Sequence, residues 1–182
     1  MNYVLGIVFA VVLIIMPQTV TTANRASKYV PKRETAKVTK LAFHDKIAPQ
    51  VLVAIQNAKN AGLKTPLPSL LIAQIVHESA YGKSYLCRYH NYNGIRAKGD
   101  EPYILAYDDG AMRKFRRFNS LSESVTCAIR VMNKQRYKGI FSERSTYGQA
   151  LVLQRGFYAS DRKYAKKIAA KAKSLRLQKY DK

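Results

Sequence analysis

The chain has 182 residues, with 32 Lys and Arg against 11 Asp and Glu and a formal net charge of +21. That length suits one domain with appendages and is enough to bury a core, and the lack of internal repeats excludes a repeat array. The charge says nothing of fold but demands an anionic partner: nucleic acid, anionic lipid or bacterial wall polymer.

Residues 1–23 carry no charged side chain, and Val4 to Met16 is an unbroken apolar run ending at Pro17. The run is short for a spanning helix, which needs ~20 residues, and reads as an export signal. Thr21-Thr22-Ala23 offers the small residues a signal peptidase selects. The lack of Lys or Arg before the run leaves an uncleaved anchor as the alternative. Residues 24–43 are polar and basic, with Pro31 and no apolar period, and read as a tether. The folded domain is expected over 44–182. Export implies the periplasm or cell envelope, or secretion, and makes nucleic acid an unexpected partner. It would also permit a disulfide between Cys87 and Cys127; the alternative is two separately buried thiols.

From His44 the period turns helical, with Ile47, Val51, Ile55 and Ala58 on one stripe and Leu52 beside it. Gly62 closes this helix and Thr65-Pro66-Leu67-Pro68 makes a rigid connection. His44, His77 and His90 match no zinc spacing, so neither a metal nor a cofactor is expected. A second helix starts at Pro68-Ser69, since proline is tolerated in a first turn. It is apolar nearly all round, the mark of a buried helix, and ends at Glu78. A carboxylate there is either half of a structural ion pair or a group whose pKa burial raises for general-acid work. With so many cations in the chain, periodicity alone leans to the ion pair.

The residues that follow shift the balance. Glu78-Ser79-Ala80-Tyr81-Gly82-Lys83-Ser84, then Asn91-Tyr92-Asn93-Gly94-Ile95-Arg96, resembles the bacterial endo-β-N-acetylglucosaminidase family of peptidoglycan hydrolases. Ala80, Tyr81 and Arg96 stand where that family usually has Gly, Trp and Lys. Between Tyr103 and Phe118, two runs rich in aromatic and aliphatic residues flank Asp108-Asp109-Gly110 and read as a β-hairpin. Phe115-Arg116-Arg117-Phe118-Asn119-Ser120 resembles the ending of the family's small β-lobe. Aligned by Tyr107 and Gly110, Ala106 occupies the place where several members carry a second Glu. Asp108 or Asp109 could substitute, although a turn aspartate is more often a turn former.

Ser120 and Glu123 fit a capping box opening a third helix, with Val125, Ile129 and Met132 inward. Tyr147 to Gln154 is a fourth helix, closed by Gly156. Gly156-Phe157-Tyr158-Ala159-Ser160-Asp161-Arg162-Lys163-Tyr164 again resembles a family block, in which Tyr158 would stand in the cleft. Ser160 or Asp161 is expected to cap the last helix, Arg162 to Leu177, whose lysines form either a solvated face or a contact with anionic envelope polymer.

The resemblance covers about His44 to Asp181 and implies a lysozyme-like α+β domain, mostly helical, with a β-hairpin lobe across a cleft. It implies Glu78, Tyr158 and Asp108 as catalytic residues, and Ser79, Tyr81, Asn93, Gly94, Tyr107 and Phe118 as substrate-binding ones. The partner implied is the peptidoglycan glycan strand, handled by a monomer. A lytic transglycosylase and a non-catalytic wall binder of the same fold are the rival readings.

Overall fold

A computed structural model describes residues 42–182. The expected export signal and nearly all of the basic tether lie outside the described residues. Five α-helices are present: α1 Phe43–Asn60, α2 Pro68–Glu78, α3 Leu121–Met132, α4 Thr146–Arg155 and α5 Tyr164–Ser174. Two strands, β1 Tyr103–Asp108 and β2 Ala111–Arg116, form an antiparallel hairpin. Three short 3₁₀ turns join the rest, at Tyr85–Tyr89, Gln135–Ser142 and Leu177–Tyr180.

Helix α2 is the axis of the core. Every residue from Ser69 to Val76 is buried, because α1, α4 and α5 pack around it. The α1 stripe is Ile47, Ala48, Val51, Ala54, Ile55 and Ala58, while Leu52 turns partly outward. A helix enclosed on all sides must find partners for its own end groups. Helix α2 has no cap of its own at Leu67. The Leu67 amide instead donates to Gln149 Oε1 at 2.9 Å, and the Ser69 amide to Asp181 Oδ1 at 2.8 Å. The single buried hydrogen bond of Gln74, from Nε2 to Tyr164 Oη at 2.7 Å, ties α2 to α5.

Helix α3 opens with the expected box. Ser120 Oγ accepts from the Glu123 amide at 3.1 Å, and Glu123 Oε2 accepts from the Asn119 amide at 2.9 Å. The last helix is shorter than its sequence pattern and begins differently. Neither Ser160 nor Asp161 occupies its N-cap, which is Lys163. Asp161 Oδ1 accepts from the Lys163 amide at 2.8 Å and its other oxygen pairs with Lys167 at 2.6 Å, so its carboxylate organises the preceding turn.

The hairpin turn is Asp109-Gly110, with φ of 48° and 79°. Both central residues are left-handed, the geometry that joins strands without splaying them. The loop before β1 adds a bridge between Arg96 and Phe115. Asn91 locks that loop: its Nδ2 donates to the Ile95 and Arg116 carbonyls, both at 2.8 Å, and its Oδ1 accepts from the Ile95 amide.

Cys87 and Cys127 are free thiols, so the bond that the sequence left open is not formed. Each sulfur is engaged separately. Cys87 lies beside the Ser79 hydroxyl, while Cys127 Sγ sits 3.8 Å from Arg116 Nη1 on α3. Both are half-buried, and desolvation raises both thiols above the ordinary cysteine pKa, which lowers their thiolate fraction.

Candidate active site

The C-terminus of α2 is where the chain turns from core to cleft. Ser79 Oγ accepts from the Gly82 amide at 2.8 Å, and the Tyr81 amide reaches back to the Val76 carbonyl at 3.0 Å. Three successive residues, Ala80, Tyr81 and Gly82, take left-handed φ values of 48°, 59° and 78°. Only glycine adopts that region without a steric cost. At Gly82 the space is closed as well, since a Cβ would lie 2.5 Å from the Phe43 ring. This tight reversal frees Glu78 from the core immediately after eight buried residues.

Glu78 opens onto a cleft of about 870 Å³. One wall carries His77, Tyr158 and Tyr164, and the other carries Ala106, Tyr107, Asp108 and Phe115 from the hairpin. The carboxylate is reachable by solvent, and among the described residues no cation pairs with it. The enclosing walls still strip part of its hydration, and this desolvation raises its pKa above the ordinary glutamate value. The ion pair that periodicity favoured is therefore not made. His77 is held below the usual histidine pKa by burial, with Lys167 and Lys171 adding repulsion, so a neutral imidazole stands beside the acid.

Tyr158 is wedged between two rings, with centroids 6.0 Å from Tyr137 and 6.1 Å from Tyr164. Burial and the nearby Glu78 raise its phenol pKa far above the ordinary value, leaving a neutral hydroxyl. Against that hydroxyl lies the Asn93 amide, whose buried Nδ2 and Oδ1 find no hydrogen-bond partner other than Tyr158. Buried amides are nearly always satisfied, and an orphaned group costs ~1–3 kcal/mol. Such a cost concentrates where a ligand supplies the missing partner.

The structure thus brings Glu78, Tyr158, Asp108, Asn93, Gly94 and Tyr107 to one cleft. It does not bring Ser79, Tyr81 or Phe118 there. Ser79 is buried and spent on the turn. Tyr81 is carried by its left-handed backbone toward α5, where its hydroxyl meets Lys171 Nζ at 2.9 Å, so it does not help to desolvate Glu78. Phe118 is buried under the Arg116 guanidinium, 5.1 Å from its ring. Asp108 lies on the cleft wall but is paired with Arg96, which also stacks 4.5 Å over Phe115. Ala106 faces the cleft where a second carboxylate was looked for. Sequence reasoning missed Arg96 as the partner of Asp108 and His77 as a cleft residue; the adjacency of His77 to Glu78 at a helix end was the available signal. Among the described residues no cluster could hold a metal ion.

Residues 53–177 match the glucosaminidase family, described as mannosyl-glycoprotein endo-beta-N-acetylglucosaminidase. The chain belongs to the glucosaminidase family. It is 28% identical over 130 residues to the exo-glucosaminidase LytG of Bacillus subtilis, covering 63% of this chain and 46% of that protein. The chain thus spans about half the length of that curated relative. The peptidoglycan hydrolase of Sphingomonas sp. A1 superposes with a TM-score of 0.63 at 27% identity, over 75% of this chain and 91% of that one. The catalytic domain of the autolysin Auto of Listeria monocytogenes gives 0.63 at 25% identity, over 76% and 85%. The glucosaminidase-family domain is lysozyme-like, mostly helical with a two-stranded lobe.

Proposed function

We propose that this glucosaminidase-family domain is a peptidoglycan hydrolase that cuts the β-1,4 bond after N-acetylglucosamine within glycan strands, with Glu78 as general acid. The observation that carries the reading is one unpaired carboxylate on the cleft floor, its pKa raised by desolvation alone. A glutamic acid whose pKa is raised keeps its proton to higher pH than a free one and can donate it to the leaving glycosidic oxygen. The family match and the names of the relatives supply the sugar and the wall polymer.

Two-carboxylate glycosidases pair the acid with a base or nucleophile on the facing wall. Here that wall offers Ala106 at the expected place, Asp108 is paired with Arg96, and Asp109 is spent on the left-handed hairpin turn at the cleft's edge. Assistance by the substrate fits this arrangement. The acetamido oxygen attacks C1 as the Glu78 proton passes to the departing oxygen, giving a cyclic oxazolinium ion that keeps its N–H and a glutamate. Water then opens the ring at C1 and returns its proton to Glu78. Asn93 and Tyr158 hold the sugar in the attacking pose.

The same lack of a second Glu at Ala106 favours one rival, a lytic transglycosylase, where a single Glu serves as acid and then base. Mass spectrometry of digested peptidoglycan separates them: hydrolysis leaves reducing N-acetylglucosamine ends, and the rival leaves anhydro-muramyl ends. Lysis retained in full by Glu78→Gln would defeat both, and native chain that binds wall without clearing it would leave only a wall binder. The size of the first products tests endo against exo action. Export, supported by the apolar run at Val4 to Met16 and by a substrate outside the cell, is tested by fractionation and N-terminal sequencing of the mature protein.

A further inference from the structure

Across Tyr158 from the cleft lies a second cavity of about 260 Å³. Asn93, Gly94, Arg96 and Tyr158 line both, so the smaller cavity adjoins the larger one. Lys98, Lys134 and Arg136 complete its rim, and its lining contains no carboxylate. Among the described residues no acidic side chain pairs with these three cations. Lys98 and Lys134 instead face each other, and this repulsion is the first cause holding the Lys134 ammonium below the usual lysine pKa. All three side chains are exposed, so water screens this repulsion and their charge is available to an anion.

Two further features of the cavity are unexplained by folding. Asn93 is only 7% exposed, yet apart from the Tyr158 hydroxyl beside it the amide has no protein partner. Phe157 adopts φ of 57° and stands 86% exposed at the rim. A bulky residue in the left-handed region is strained, and an exposed ring gains no burial in return.

We infer that this cavity is a carboxylate subsite, taking the acid groups of the peptide-bearing muramyl residue next to the bond that is cut. The inference rests on the proposed glycan substrate. The sugars of that polymer are neutral, and on a peptide-bearing muramyl residue the lactyl carboxyl is taken up in the amide to the peptide, so the free peptide carboxyls are the anions a cavity adjoining the cleft can meet. Lys98, Lys134 and Arg136 supply charge-assisted donors, and Phe157 offers an apolar face under the sugar or the first peptide residue.

The test uses the full-length Glu78→Gln chain, so that binding is read without turnover. Affinity is measured by calorimetry for N-acetylmuramyl dipeptide and for the same compound with its carboxyls amidated. The acid form is expected to bind about tenfold tighter, as one or two charge-assisted contacts would give. Adding Lys98→Gln and Lys134→Gln should erase that preference while the melting temperature holds or rises, because the repulsion is removed. Equal affinity for the two forms overturns the inference, as does a preference that survives the double substitution. Competition by inorganic phosphate as strong as by the dipeptide would reduce the site to a general anion patch and overturn it too. The native chain's activity on peptidoglycan reports the hydrolase reading separately: lysis without an acid preference removes the subsite alone, and an acid preference without lysis removes the hydrolase alone.

Discussion

Helix α2 and the β1–β2 hairpin form facing parts of the cleft, yet Leu70 to Val76 are wholly enclosed whereas Tyr107 and Met112 are 74% and 58% exposed. The helix delivers Glu78 from the most constrained segment of the molecule. Its register is fixed by core packing along its length and by hydrogen bonds from α4 and the chain's C-terminal end. The hairpin hangs from its base, through the Arg96–Phe115 bridge, the Asn91 clamp and the Arg116–Glu101 pair at 2.6 Å. Rigid placement of the acid and a softer opposite wall are what a processing cleft needs. Proton transfer tolerates little error in position, while a wall that only shapes the strand can yield.

This contrast can be broken in several places. The largest effect belongs to the acid itself: Glu78→Gln should lower kcat on peptidoglycan by about 10²–10⁴-fold, the usual contribution of general acid catalysis. Asp108→Asn, which only releases Arg96, should cost less than about tenfold. Equal losses for the two variants would make Asp108 a second catalytic carboxylate and end the substrate-assisted scheme. Next comes the helix core. Ile75→Ala should destabilise the domain by ~2–5 kcal/mol in denaturant titration, as cavity-forming substitutions at closed sites do. Tyr107→Ala on the hairpin should leave stability within about 1 kcal/mol and reduce kcat/KM by roughly two- to tenfold. A Tyr107 variant that unfolds like the Ile75 variant would mean that the two walls are equally load-sharing.

Smaller effects sharpen the same picture. Ala80→Gly should stabilise the domain by roughly 0.5–1 kcal/mol, the left-handed cost at Ala80 less the greater unfolded freedom of glycine. A loss of stability would show that the strain is taken up elsewhere. Finally, the folded-state pKa of Glu78 lies above its unfolded value. Between those two values the native state binds more protons than the unfolded one, so stability falls as pH rises through that window. The melting temperature of Glu78→Gln should therefore match the native chain below the unfolded pKa and exceed it at neutral pH. The lytic rate should decline on the alkaline side as Glu78 loses its proton. A melting gap that is independent of pH would contradict the desolvated acid.

Much of this was legible in the residues. The α2 pattern was apolar all round because the helix is enclosed all round, so its burial and the terminal carboxylate could be read directly. The Asp109-Gly110 turn was legible because few sequences accept two positive φ angles in a row. Ser79, Tyr81 and Phe118 lie outside the cleft lining, which motif spacing could not show, since it gives order along the chain but not the direction of a side chain. Three left-handed residues after Glu78 rotate Tyr81 onto Lys171, and no periodicity argument contains that rotation. The cap at Lys163 was missed because Asp161 satisfies the turn before the helix instead of the helix itself.

The sequence by itself determined the elements, the acid at the end of a buried helix, and the family. Those are local properties: apolar period, turn chemistry and short motifs each act over a few residues. Only the tertiary structure decided that Glu78 has no partner among the cationic side chains of the described residues, since pairing depends on which of them can reach the cleft. It likewise decided that Asp108 is neutralised by Arg96, that Asp181 caps a helix 112 residues earlier, and that Lys98 and Lys134 meet beside Tyr158. Each of these contacts joins groups far apart in sequence, and its strength depends on distances that folding sets.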